Sequence, residues 1–350
     1  LTGPSQDPDD DDGSDRRLDD PPAPAPPPGD PALPRPGLST FTIEGRAAPG
    51  LFVVGWIATV LGVGAVVAAI LAGNAPAVLV VGLVLLSIGL VAGAGSQAIE
   101  RRARGAAFPG PSPLLVFAAT IPVSYLVAIA VGAVLEGIGA DAPRAAADLL
   151  IVAIQALVTI GLVALLVAGA GGVSWREMGW HGGAARVGGE LAWGAVFAGP
   201  VIAVTIVVTG ILVAIFGVTP DSPLPPTGEM AGLILHLIAG AVIAPLSEEI
   251  LFRGVATTAW VRAYGLTSGI VRGAIFFALA HVLLLGGRTV AEALAIAFVA
   301  FAGRLPVALV LGWVYARRGS LWAPIGLHAA FNGILLVLAD FAVRSGAAPA

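Results

Sequence analysis

The sequence predicts an all-α, polytopic helical membrane protein of eight or nine transmembrane helices, and three observations predict it. Of its 350 residues, 57% are hydrophobic and 11% charged, against about 25% charged in soluble domains. Mean hydropathy is +0.93. Apolar runs recur at about the 20 residues a helix needs to cross the hydrocarbon. None shows the alternation of a barrel strand, so the helix is the element that satisfies its own backbone in lipid.

Residues 1–46 stand apart from this pattern. Asp9–Asp12 and Asp19-Asp20 run into the proline-rich stretch 21–28, with no apolar periodicity. The expectation is a disordered acidic tail with a local polyproline II bias. Apolar runs follow near 50–73, 75–96, 112–136, 147–170, 190–217, 229–260, 267–286, 289–316 and 320–341. Asn74, Ala75 and Pro76 read as the tight turn between the first two. The expected organisation is a tail (1–46), N-terminal transmembrane helices (47–173), a second membrane domain (174–342) and a C-terminal tail (343–350). The run 289–316 is the weak point, because Gly303-Arg304-Leu305-Pro306 interrupts it. A tilted or broken helix is expected there, or a surface helix with a partial span, which reduces the count to eight. Nothing in the sequence accounts for Arg304, which falls near mid-membrane.

All 18 basic residues are arginine, and their placement orients the chain. Arg46, Arg101, Arg102, Arg104, Arg176, Arg186, Arg262, Arg317 and Arg318 fall at one set of connections. The alternate connections carry Arg144, none over 218–228, and Arg288. The positive-inside rule then puts the N-terminus in the cytoplasm of a multi-pass cell-membrane protein. Cysteine is absent, which excludes disulfides, thiolate chemistry and cysteine-bound metal. The acidic tail would repel phosphate, so nucleic acid is excluded as a partner. The oligomeric state is left open.

The chemistry concentrates in three places. Ser247 to Arg253 puts two adjacent carboxylates at the end of an apolar run, where charge is expensive. Glu249 and Arg253 are four apart and share a helix face. Glu248 points about 100° away and has no partner in its own helix. Phe277 and His281 share a face of the seventh run, and His328 and Asn332 a face of the ninth. Glu248 lies 14 residues before Arg262 and His281 14 after Thr267, each about 21 Å of rise. Counted from Arg318, His328 and Asn332 lie about 15 and 21 Å in. One shared layer is expected. By contrast His236 reads as a packed histidine, His181 as a surface residue, and Arg272 as a cation that snorkels.

The residues alone leave three uses of this layer open. A carboxylate beside a neutral imidazole can activate water, while an imidazole and an amide N–H stabilise an oxyanion, as peptide-bond hydrolysis requires. Glu248, His281 and His328 could instead hold a zinc ion with one position left for water. An ion-coupled transporter would also bury Glu and His, although no inverted repeat of polar positions is visible. A non-catalytic membrane scaffold or bacteriocin-immunity protein is the remaining alternative.

Glu248-Glu249 with Arg253, Phe277 with His281, and His328 with Asn332 resemble, in order, the three motifs of the CPBP intramembrane protease family. That family includes the type II CAAX prenyl endopeptidases and the bacteriocin-processing (Abi) proteins. Residues 175–180 resemble its polar segment with a characteristic glycine, and 315–324 its lead into the last motif, so the resemblance covers about 174–335. It implies a catalytic membrane domain over 174–342 that cleaves membrane protein or peptide substrates. Glu248 would activate water with His281 as partner, and His328 with Asn332 would stabilise the oxyanion. Glu249, Arg253 and Phe277 would support them. The cofactor is either none or zinc.

Orientation is testable in this cysteine-free background. Single cysteines at Ser14, Ser174 and Ser222 are exposed to an impermeant thiol reagent on intact cells. Ser222→Cys should label and the other two should not; the opposite pattern overturns the topology.

Overall fold

The computed structural model describes residues 41–347 apart from Asn74 and Leu284. The acidic tail before residue 41 and the expected turn at Asn74 lie outside the described residues. Every regular element among those described is helical. Taking continuous helical segments together, they are α1 (Pro49–Leu71), α2 (Pro76–Ala103), α3 (Pro113–Gly137), α4 (Arg144–Ala168), α5 (Ala184–Phe216), α6 (Met230–Tyr264), α7 (Leu266–Ala280), α8 (Val290–Arg318) and α9 (Trp322–Arg344). All but α7 are long and apolar enough to span, so the chain is a multi-pass membrane protein.

Local signals explain many of the ends. Proline opens α1, α2 and α3, where its missing N–H is no loss. Thr289 caps α8 by accepting from the Glu292 N–H, and the Glu292 carboxylate returns to the Arg288 N–H at 2.8 Å. Gly217 and Gly319 close α5 and α8 in the left-handed conformation.

Two expectations about length change places. The run 289–316 is one continuous helix through Gly303 and Pro306. Its neighbour is the short one: α7 has 15 residues, about 22 Å against about 30 Å of hydrocarbon. The cause lies at His281. Its ring Nδ1 bonds the Phe277 carbonyl at 2.7 Å, the acceptor its own backbone N–H would take in a longer helix. That N–H turns to Leu279 instead, and Gly286-Gly287 follow. Among the described residues eight helices are therefore long enough to span, and the short one is the seventh run and not the eighth.

α6 is the axis of the fold. Residues 249–259 are buried without a break, wrapped by α3, α4, α7, α8 and α9. Phe252 meets Phe276 and Phe277 of α7 edge-on with centroids 5.1 Å away in each case. The helix widens into π turns at 238–243 and 250–257, and such turns free carbonyls for side chains. Thr257 and Thr258 accordingly donate to the carbonyls five residues back, Phe252 and Arg253. Tyr315 of α8 ties Thr258 (2.8 Å) to the Met178 carbonyl (3.1 Å).

The segment 171–183 clamps the end where α6, α8 and α9 meet. Gly179 has φ +85°, and a Cβ there would lie 2.8 Å from the Gly319 carbonyl oxygen; its own carbonyl accepts from Leu321 N–H. Arg262 bonds Glu177 at 2.9 Å. Burial works to raise the Glu177 carboxyl, but hydrogen bonds from Ser174 and Arg262 outweigh it and hold it below the usual carboxylate value. That contribution is present at neutral pH and fades as pH falls through the lowered value. Trp175 stacks edge-on with Trp180, and Trp180 packs on Trp322.

Close approach of α5 and α9 fixes the last helix. A Cβ on Gly326 would sit 2.1 Å from the Leu191 carbonyl oxygen, and one on Gly194 would meet the Ala323 carbonyl. Gly326→Ala should therefore destabilise by about 1–3 kcal/mol. Gly161→Ala, whose Cβ would meet nothing within 4 Å, should instead gain up to about 1 kcal/mol. Thermal unfolding in detergent reads both; equal behaviour of the two variants would contradict the close crossing.

Candidate active site

Glu249 is fully buried in α6 and accepts two charge-assisted hydrogen bonds on one oxygen. Arg253 Nη1 donates to Oε1 at 2.9 Å, as the four-residue spacing predicts, and His328 Nδ1 of α9 stands 2.7 Å from the same atom. The guanidinium continues to the Ala308 carbonyl of α8 at 3.3 Å. It also lies 4.5 Å over the Phe277 ring of α7. A single carboxylate and its arginine thus bind α6 to three other helices.

Phe277 is the wedge between the ionic groups. Its ring centroid lies 4.3 Å from that of His281 and 5.7 Å from that of His328. The expected shared face of Phe277 and His281 is present. Of the four residues expected in one layer, Glu248, His281 and His328 meet, with His281 Nε2 at 3.4 Å and His328 Nε2 at 3.8 Å from Glu248 Oε2.

The tautomers follow from the partners. A carbonyl cannot donate, so His281 Nδ1 carries the proton that bonds Phe277 O. Glu249 is engaged by Arg253 as a carboxylate, so His328 Nδ1 carries the proton between them. Each ring therefore turns Nε2 toward Glu248. That carboxylate keeps Oε2 buried and without a hydrogen-bond partner among the described residues. At 3.4 Å the nearer imidazole is beyond a normal hydrogen bond.

Asn332 lies one turn beyond His328 on α9. Its Nδ2 donates to the Gly240 carbonyl at 2.8 Å, an acceptor on the first π turn of α6. One amide hydrogen is committed there and the second remains. The contribution of Gly240 and Ala308 as backbone acceptors, and of Glu249 as the partner of His328, is invisible in side-chain spacing. Adjacent prolines and threonines in α6 are the nearest sequence signal for its irregular turns.

A tetrahedral zinc site makes a fixed demand on such a donor set. Two ligands about 2.0–2.1 Å from zinc stand about 3.3 Å apart. The His281–Glu248 gap matches, the His328–Glu248 gap of 3.8 Å does not. Among the described residues no group of three or more His, Asp or Glu side chains is disposed to hold a metal ion. As they stand, the three residues do not fit that group.

The other singled-out residues fall outside the layer. His236 is buried and pairs with Asp148 of α4 at 3.2 Å. His181 offers its carbonyl to Trp322 Nε1. Arg272 lies over the Tyr264 ring and bonds Ser268.

Fold and site together define a helical membrane protein with paired carboxylates and two imidazoles converging inside the bundle. Residues 230–334 match the family model described as type II CAAX prenyl endopeptidase, Rce1-like. This bears out the resemblance read from the three motifs, all of which lie inside the matched segment; residues 174–229 lie outside it. The matched family is one of CAAX-type intramembrane proteases. No curated protein and no solved structure matches the chain.

The Glu249–Arg253 tie should reveal itself in stability. Arg253→Ala leaves the Glu249 carboxylate without its cation in the interior, at about 3–5 kcal/mol. Glu249→Gln combined with Arg253→Met should recover part of that loss in detergent unfolding. If both variants unfold like the parent, the pair is not what holds the four helices.

Proposed function

We propose that the protein is an intramembrane endopeptidase that hydrolyses peptide bonds of membrane-associated or lipid-modified substrates with water activated by Glu248 and His281. The observation that carries this reading is the convergence of acceptors. His281 is committed as a donor at Nδ1, so its Nε2 and the unpartnered Glu248 Oε2 both face the same space as acceptors. A water molecule supplies a hydrogen to each and keeps a lone pair for a carbonyl carbon.

In the chemical step the water oxygen bonds to the scissile carbon as Glu248 takes its proton, and the carbonyl electrons move onto oxygen. Collapse then breaks the C–N bond, and the leaving amine takes the proton back from Glu248. The oxyanion receives Nε2–H of His328 and the uncommitted N–H of Asn332. A second proton on His328 is balanced by Glu249, because two carboxylates against one guanidinium leave one negative charge in the cluster. No step passes through a metal.

The description of the matched family as a prenyl endopeptidase supports membrane-associated or lipid-modified substrates. The arginine distribution supports a cytoplasmic N-terminus in the cell membrane. Tryptophan agrees with it: Trp260, Trp313 and Trp322 each lie within five residues of Arg262, Arg317 or Arg318, where aromatic side chains favour the interface.

Glu248→Gln keeps the shape but removes the base. It should abolish the fragments found when membrane peptides of cells carrying parent and variant are compared. His281→Ala should be nearly as severe, and Asn332→Ala should lose about 10²–10³ in rate. Activity should survive chelation, with no stoichiometric zinc in the purified protein. Full activity of Glu248→Gln would sink the assignment, and zinc lost on replacing His281 or His328 would replace it with a metal mechanism.

A further inference from the structure

Arg304 carries a charge that the mechanism above leaves unused. It lies 14 residues before Arg318 on α8, about 21 Å of rise. His281 lies 15 residues after Leu266, about 22 Å along α7. These two helices pack side by side in opposite directions, with Gly312 against Ile270 near the arginine-rich end. Arg304 therefore stands within about one helical turn of the level of His281. It also shares a helix face with Ala308 four residues on, whose carbonyl receives Arg253.

At that depth a cation needs an anion or water. Arg304 is half-buried, and its Nη1 donates to Ala300 O of its own helix at 2.9 Å. Among the described residues it makes no ion pair. Arg304 thus sits on the face of α8 that meets α6, with one bond to its own helix and, among the described residues, no counter-charge. Its remaining N–H groups form the fork that suits a carboxylate.

We propose that Arg304 binds a carboxylate of the substrate and so selects peptides carrying a negative charge close to the scissile bond. The proposal rests on the peptidase reading for the word substrate. Two sources share this chemistry, the C-terminal carboxylate of the peptide and an Asp or Glu side chain. The short α7 is consistent with either, since the chain beyond Ala280 leaves the helical wall beside Arg304.

The test uses full-length protein in nanodiscs and one fluorescein-labelled Leu/Ala peptide in three forms. These are the free C-terminus, the C-terminal amide, and the amide with one Glu near its end. Binding is read by anisotropy on Glu248→Gln, with and without Arg304→Gln, and cleavage on the Glu248 protein. A carboxylate form should be preferred over the plain amide by about tenfold or more, and which form wins identifies the source. Arg304→Gln should bring the ratio to near one while leaving the plain amide peptide within about twofold; Arg304→Lys should retain part of it. Because each ratio is taken on one preparation, partial misfolding does not imitate the result. An unchanged ratio, or an equal loss for all three peptides, overturns the proposal. Preference in binding without any Glu248-dependent cleavage sinks the peptidase reading and leaves Arg304 as an anion receptor. Cleavage without preference does the reverse, and absence of both removes the two together.

Discussion

The bundle depends on one buried charge pair. Glu249 and Arg253 are an expensive choice for a helix interior, since ions lose their hydration there and regain it only through good geometry. The geometry is good: one carboxylate oxygen gathers a guanidinium and an imidazole, and the guanidinium reaches on to a carbonyl of α8. In return α7, α8 and α9 are held in fixed rotation around α6. Apolar packing alone is tolerant of sliding along a membrane helix. Directional bonds at the centre remove that tolerance, which is what a site assembled from three helices requires.

The same pair sets the chemistry beside it. Glu249 accepts a hydrogen bond from His328 Nδ1–H, and the Phe277 carbonyl accepts one from His281 Nδ1–H. Both imidazoles are thereby turned edge-on to Glu248 with defined hydrogen positions. Two neighbouring carboxylates in the chain thus differ because only Glu249 is held by hydrogen bonds, both on one oxygen. The imidazole bond comes from packing against α9, not from the residue type.

Much of this was legible in the sequence and some was not, for physical reasons. Apolar runs, arginine placement and the Glu249–Arg253 interval are local, and the helices, the layer and the ion pair follow from them. The His328–Glu249 bond spans 79 positions and depends on helix rotation, which no interval encodes. The π turns of α6 were hidden because they change backbone register without changing composition. The expected break at Gly303–Pro306 did not occur, since a long membrane helix accommodates an internal proline. The real interruption, at His281, was masked by three leucines that extend the apolar run past the helix end.

That early ending of α7 has a consequence for the surrounding lipid. Val271, Ile275 and Leu279 present an exposed apolar stripe on this helix, so acyl chains meet it directly. Its length of about 22 Å falls short of a bilayer core by about 8 Å, and lipids answer such a mismatch by thinning locally. The depression lies next to His281. On the proposed reading, acyl-chain length becomes a variable of the reaction, because it would set how far water travels to the carboxylate and how deep a membrane-held peptide dips to reach it.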